Sequence, residues 1–507
     1  MIAAYTSVLS ARPGDPVDIH LSSSGEVCRL EIARLGRERG VVLEVKNIAT
    51  VEHAVPADAD TMGCGWPVTA TFTVGAGWES GYYELRFENE LGETTCHFVC
   101  VLPSARTQRA LLVLATNTYQ AYNWWGGRST YGDIGAVMDG RLGLFEALDQ
   151  AVGIVSQERP FAQGILNAPE GVPKLMNGGL RGAGELPDMP SRRFTAEHGL
   201  GPLDNPAGFK NKWEHKFVAW CEEHGIGLDY ATDRDLNDRP HVLDGYACVL
   251  VVGHSEYWSG PQRQALDDYV DQGGNLAVFS GNTSYWKVRW DGSRMVCHKS
   301  RGIDREPDLA SAATGLWSHP QFARPEAALL GLTFLLGGYH RLGMCVARGT
   351  GSYTVYDETH WALEGCDLFY GDQIGGDSPL LAYENDGCLL QFNTDGRLSA
   401  VPHLGVPADL AVIAMAPAVF AEEPGTAYPP ILAPEKLELA ALVAHGHSEA
   451  GAQDRLRRGH AVMASFRREK GEVFNAGTTE WASALASGLS FVPRITLNVL
   501  QRFGAVG

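Results

Sequence analysis

Residues 246–286 read YACVLVVGHSEYWSGPQRQALDDYVDQGGNLAVFSGNTSYW. Two apolar runs, YACVLVV and NLAVFS, enclose PQRQALDDYVDQGG, a helical segment with Pro261 in its first turn, where a missing N–H costs nothing. Strand, helix and strand in this order form a βαβ unit, whose right-handed crossover sets the two strands parallel in one sheet. Apolar runs without alternation belong to strands covered on both faces. Ligands of such sheets gather at the carboxyl ends of the strands. His254, Glu256 and Asn282 fall on that edge.

Upstream the pattern differs. Cys28, Leu30 and Ile32 alternate with Arg29 and Glu31, Tyr83, Leu85 and Phe87 with Glu84 and Arg86, and Val68, Ala70, Phe72 and Val74 with their neighbours. Period-two alternation between turn signals such as RPGDP and GAGWESG predicts an antiparallel β-sandwich over residues 1–104. Residues 105–507 then form the α/β domain. ALLVLATNT opens it as an apolar run, a long irregular stretch over 117–210 follows, and KWEHKFVAWCEEHGIGLDYATD reads as a helix closed by Gly225 leading into a strand. LRRGHAVMASF and GEVFNAGTTEWASAL add strands, and ITLNVLQRFG a closing helix. The fold class expected is therefore α/β: a doubly wound, mostly parallel sheet resembling the class I glutaminase-like fold, preceded by the sandwich module.

The 507 residues suffice for two or three domains, at about 150 residues each. With 45% hydrophobic and 20% charged residues the composition is that of a globular protein. A formal charge of −19 repels polyanions, which excludes nucleic acid and anionic membrane as default partners. The start, MIAAYTSVLSARPGDPVDI, lacks a basic segment followed by an apolar core and is read as a mature cytoplasmic start. Ten cysteines without a CxxC pair are read as reduced thiols.

Several chemistries find little support. GHSEYWSG is neither GxSxG nor a cysteine elbow, and Cys248 sits inside an apolar run. No GxGxxG follows a strand, and HxE lacks the i, i+4 spacing of HExxH. A histidine and a glutamate two residues apart do share one side of an extended segment, so both can face one ligand or simply bond each other.

The wider text resembles a known family. From GHSEYWSG through LAVFSGNTSYWKVRW, with TNTYQAYNWWGG upstream and WALEGCDLFYGDQIGG, LLAYENDG, VFNAGTTEWA and RITLNVLQRF downstream, residues 105–505 are similar to the C-terminal domain found in the large subunits of N,N-dimethylformamidases. The resemblance implies an amidohydrolase with a ferric ion, Fe(III), held by two tyrosinates and a glutamate. A hard trivalent cation favours anionic oxygen donors and polarises an amide carbonyl.

Carried over residue by residue, the resemblance makes Glu256 the carboxylate ligand and Tyr122 the first tyrosinate, with Tyr119 as the other choice. His254 and Glu384 become acid–base groups, with Glu364 as the rival of Glu384. Asn282 and Lys299 become substrate contacts, the Asn282 amide donating to the substrate oxygen; each of these residues also has a purely structural reading. At the position of the second tyrosinate the chain has SQERPF, and Phe161 has no oxygen to give. Tyr131 and His298 are alternative donors. The implied partners are a small amide substrate, further copies of the chain and a small accessory subunit. The rival readings are a binding or scaffold homologue with a degenerate iron site, and a metal-independent amidase with a cysteine nucleophile.

Overall fold

The computed structural model describes residues 1–506 except 134, 137–139, 143–145, 147–149, 163, 167–173, 177–178, 182–207, 211–212, 300–311, 341–350, 377–379, 382, 422–433 and 489–490. Much of the irregular stretch expected over 117–210 thus lies outside the described residues. The chain is a mixed α/β protein with several sheets, divided into two compact units.

The first unit comprises Met1–Val172, Asn205–Tyr246 and Trp290–Val296. Its alternating segments become β1 (Ile2–Thr6), β2 (Ser10–Ala11), β3 (Pro16–Ser23), β4 (Val27–Leu35), β5 (Arg39–Ala49), β6 (Ala70–Thr73), β7 (Gly81–Asn89) and β8 (Thr94–Val101). They form a three-stranded sheet in the order β1-β3-β6 and a five-stranded sheet in the order β2-β8-β7-β4-β5. Ile19, Leu21 and Phe72 of the first sheet share one core with Leu30, Ile32, Leu85, Phe87 and Val99 of the second. Period-two alternation puts these side chains on the inner faces. After these two sheets, β9 (Ala110–Leu114) leads directly into α1 (Thr116–Tyr122). Then α2 (Glu214–Glu223) ends before Gly225, whose φ of 70° suits glycine, and β10 (Leu228–Thr232) pairs parallel with β9.

The second unit comprises Pro173–Asp204, Ala247–Arg289 and Cys297–Gly507. Its apolar runs become β11 (Cys248–Gly253) and β12 (Asn275–Ser280), joined by α3 (Gly260–Asp271). The strands pair parallel from Cys248↔Asn275 to Gly253↔Ser280. All six residues of β11 are buried, and each of its valine and leucine side chains contributes roughly 1.5–3 kcal/mol by leaving water. A capping box between Ser259 and Gln262 starts α3, with Pro261 in its first turn. Asp267 ties this helix down, contacting Arg263, Arg324 and Arg468.

The sheet of this unit continues through β13 (Thr333–Tyr339), β14 (Glu384–Gly387), β15 (Ala411–Val419), β16 (Arg458–Arg468) and β17 (Gly471–Asn475), in the spatial order β11-β12-β17-β16-β15-β13-β14. The first three strands are parallel, as expected; from β17 onward every pair is antiparallel. The sheet is mixed rather than mostly parallel. Between β16 and β17 stand only Glu469 and Lys470, with Glu469 at φ 48°. A two-residue turn permits only an antiparallel return, because a parallel one needs a crossover of about a dozen residues. Helix α4 (Val492–Arg502) closes the chain.

Candidate active site

Gly253 ends β11 at φ 81°, a conformation that L side chains rarely adopt, and the chain turns away from the strand direction. His254, Ser255 and Glu256 follow, each at most 4% exposed. The imidazole Nδ1 lies 3.2 Å from the Gly281 carbonyl oxygen. Nε2 lies 3.3 Å from Glu256 Oε2 and 3.3 Å from Glu384 Oε2. The Glu384 contact is an ion pair outside hydrogen-bond alignment. One histidine thus stands between two carboxylates that are 128 residues apart in the chain.

Burial disfavours an imidazolium, but Glu384 and Glu256 outweigh it and raise His254 to about 9. Burial raises Glu384 to about 7, with Glu256 adding to the rise and His254 and Asn282 opposing it. Burial also lifts the phenols of Tyr339 and Tyr285 well above their usual range, with Glu384 contributing to both. The rings of Tyr383 and His254 meet edge to face, their centroids 6.0 Å apart.

Two backbone constraints position Glu384. Its carbonyl accepts the Thr479 N–H at 3.1 Å, and β13 pairs Tyr339 with Glu384. Gly281 passes close to this bond: a Cβ there would stand 2.3 Å from the Glu384 carbonyl oxygen and 2.7 Å from the Thr479 nitrogen. Only a glycine lets the turn after β12 pass this close. That turn carries Asn282 at φ 49° and Ser284 at φ 55°. Asp386 holds it: its carboxylate accepts the N–H of Asn282 at 2.8 Å and of Thr283 at 3.3 Å. Burial nevertheless raises the Asp386 carboxyl to about 7, the Thr283 and Asn282 bonds opposing that rise.

The second unit therefore brings together His254, Glu256, Asn282 and Glu384. Asn282 is near enough to oppose part of the rise of the Glu384 carboxyl. Lys299 is half-buried, 2.5 Å from the Tyr257 hydroxyl, with its ammonium over the rings of Tyr257 and Trp286. Glu364, the rival carboxylate, is exposed, and its backbone carbonyl accepts from Arg494 and Asn498. Ser255 is buried and accepts from the Trp258 indole at 2.8 Å, while burial pushes the Cys248 thiol far upward, so neither is an exposed nucleophile. Asp386 escaped sequence reasoning. Its signal was its place two residues after Glu384, on the same side of an extended strand.

The remaining sequence-predicted residues belong to the first unit. Tyr122 ends α1, 7% exposed, its ring 4.4 Å from that of Tyr131. The Tyr119 hydroxyl donates to Glu214, which burial raises to about 7. Phe161 is buried against His97 and Phe98. For a hard cation the donor types fit at Glu256 and Tyr122 and fail at Phe161. Among the described residues no group of three His, Cys, Asp or Glu side chains is disposed to hold an ion, though a site of phenolates and one glutamate would contain just one such side chain.

The second unit is mixed α/β and sets a buried imidazole between two carboxylates beside the carboxyl ends of parallel strands, where ligands of such sheets gather. Residues 29–494 match the family described as N,N-dimethylformamidase beta subunit-like, C-terminal, and the chain belongs to that family. The N,N-dimethylformamidase beta subunit of an Alcaligenes sp. is 25% identical over 229 residues, covering 44% of this chain and 28% of that protein. The one of Paracoccus aminophilus is 33% identical over 86 residues, covering 16% of this chain and 11% of that protein. The matches span less than a third of these relatives' length. A solved Paenibacillus sp. cycloisomaltooligosaccharide glucanotransferase, complexed with cycloisomaltoheptaose, shares 10% identity and a TM-score of 0.17 over 54% of this chain and 48% of that one, too little to bear on the fold. No helix among the described residues is long and apolar enough to cross a membrane.

Proposed function

We propose that the chain hydrolyses small N-substituted, formamide-like amides to acid and amine, with His254 and Glu384 as the acid–base pair. The supporting observation is the imidazole held 3.3 Å from each of two buried carboxylates. The Gly281 carbonyl faces Nδ1 and the two carboxylates face Nε2, all of them acceptor oxygens, so both nitrogens carry protons and His254 acts as the acid. Glu384 is the base. It takes a proton from water as the hydroxyl adds to the carbonyl carbon; the C–N bond then breaks and the leaving nitrogen receives the His254 proton. Proton return from Glu384 to His254 completes the cycle. Removing such a general acid or base typically costs about 10²–10⁴-fold in rate.

Glu256 and Tyr122 are the residues that would hold a ferric ion, an assignment that comes from the family resemblance. Bound, it would polarise the amide carbonyl. Asn282 and Lys299 are the proposed substrate contacts. The division at residue 104 into a sandwich module and a catalytic domain with a glutaminase-like sheet, a cytoplasmic location, self-association and a small accessory subunit belong to the same proposal.

The test is amine release from a panel of N-alkyl amides, beside metal analysis of protein purified without chelator. Release with stoichiometric metal supports both parts; activity without metal removes the iron and leaves the hydrolysis standing. Phe161, with no oxygen for a metal, favours a second reading as a non-catalytic binding or scaffold homologue. Absence of release across the panel in metal-replete protein would select it.

A further inference from the structure

The stretch WALEGCDLFYGDQIGG, residues 361–376, supplies no member of the acid–base group. In the second unit its centre forms a turn over 369–372, closed by the Asp372 N–H on the Phe369 carbonyl at 3.0 Å. The Gly371 N–H holds this turn to the Val355 carbonyl at 2.9 Å, which brings Tyr370 to Tyr356, ring centroids 5.7 Å apart and edge to face. The Tyr370 hydroxyl donates to the Gly396 carbonyl at 2.9 Å. Phe392, the last residue of the strand Leu389–Phe392, meets the same Tyr356 ring at 5.8 Å. These rings are not core. Phe369 is 71% exposed, Phe392 63% and Tyr370 50%, and among the described residues no other Phe, Tyr or Trp is exposed. Apolar side chains scattered singly over a surface are ordinary, but aromatic rings gathered in one place mark a surface that something covers.

The charge around the rings says what covers it. Asp357 follows Tyr356, Asp372 accepts the Phe369 N–H at 2.8 Å, and Asp395 accepts the Arg397 N–H at 3.0 Å beside Gly396. Segments 356–372 and 389–397 together carry six Asp and Glu residues against one Arg or Lys, Arg397. That arginine is already taken, 3.1 Å from Asp357 and 3.9 Å from Glu358. A second copy of this face would set like charge against like, and an anionic lipid surface would be repelled in the same way. We infer that the face docks a different polypeptide, one that presents apolar side chains among lysines and arginines, with Phe369, Tyr370 and Phe392 as the anchors. Aromatic anchors inside a charged rim are the ordinary anatomy of such an interface. The inference goes beyond the hydrolase reading and stands without it.

The experiment titrates the full chain against a short labelled peptide of leucine and lysine whose leucines fall on one helical face. Beside it stand a peptide of the same composition with the leucines scattered, one with glutamate in place of lysine, and phosphatidylcholine vesicles. The expected result is binding of the one-faced lysine peptide at least about tenfold tighter than the scattered one, weakening with salt, and no binding of the glutamate peptide. Phe369→Ser and Phe392→Ser, both at exposed positions, should each weaken that binding about tenfold with the unfolding midpoint unchanged. Equal affinity for the one-faced and scattered peptides would show attraction by bare charge and overturn the inference. So would binding that both serine variants retain, binding of the vesicles alone, or binding of none of the probes. Should a serine variant fail to fold, hydrogen exchange of the wild-type chain with the one-faced peptide decides: protection over 366–373 and 389–397 is expected, and protection only elsewhere overturns the inference.

Discussion

Replacing Gly281 by alanine should separate Glu384 from His254. The φ of Gly281 is not among the left-handed ones, so the substitution is allowed by the backbone and acts through space alone. The new Cβ would meet the Glu384 carbonyl oxygen at 2.3 Å and the Thr479 nitrogen at 2.7 Å. Real Cβ contacts hold to 3.0 Å or more, so the Glu384 backbone must retreat by about 0.7 Å. It cannot do so freely, because the β13 pairing holds it and the Thr479 N–H bonded to its carbonyl is pressed by the same Cβ. Overpacking of this kind costs about 1–3 kcal/mol. A shift of similar size at reacting groups costs up to about 10²-fold in rate. Gly451→Ala is the control: a Cβ there meets nothing within 4 Å, in a helix that alanine favours by roughly 0.5–1 kcal/mol. Denaturant unfolding measures the stability change, hydrogen exchange of peptides spanning 275–290 localises it, and amine release reports the site. Wild-type midpoint, exchange and activity in Gly281→Ala would refute the packing argument.

Asp386→Ala leaves the N–H groups of Asn282 and Thr283 without their acceptor, which costs about 1–3 kcal/mol per orphaned donor, and exchange of those two amides should accelerate. Unchanged exchange would show that the turn holds itself. In the first unit, burial lowers His97 to about 4 despite its bond to the Phe98 carbonyl. The unfolded chain, with an imidazole near 6.5, therefore takes up the proton first. Stability from this residue is complete above about pH 6.5 and is lost as pH falls toward 4, by about 3 kcal/mol. The difference in unfolding free energy between wild type and His97→Leu should move by about 3 kcal/mol against the wild type as pH falls across that window; parallel curves would contradict it. Under the proposed ferric assignment, Glu256→Ala should carry less metal than wild-type protein after chelator-free purification, and equal metal content in both would remove Glu256 as a ligand.

Much of the parallel half of the second unit was legible because local signals agreed with the fold. β11 and β12 are unbroken apolar runs, and Ser259, Gln262 and Pro261 mark the start of α3 without tertiary help. The contact of His254 with Glu256 was one of the two outcomes their spacing left open. The other half of the site did not. Glu384, Asn385, Asp386 and Gly387 form a wholly buried strand from four residues whose composition reads as a turn. Their burial is tolerated because partners far along the chain satisfy them, Asp386 on the Asn282 turn 104 residues away. No local pattern encodes such a contact. The antiparallel continuation was obscured for the same reason, since the pairing of Thr333–Tyr339 with Glu384–Gly387 depends on the fold already formed.

The most direct measurement is the rate of amine release from N-methylformamide by wild-type protein and by Glu384→Gln, a nearly isosteric change that removes the base. The expected result is release by wild type and a loss of at least about 10²-fold in the variant, with the unfolding midpoint and metal content unchanged. Equal rates in the two proteins would contradict the assignment of the His254–Glu384 pair as the reacting centre.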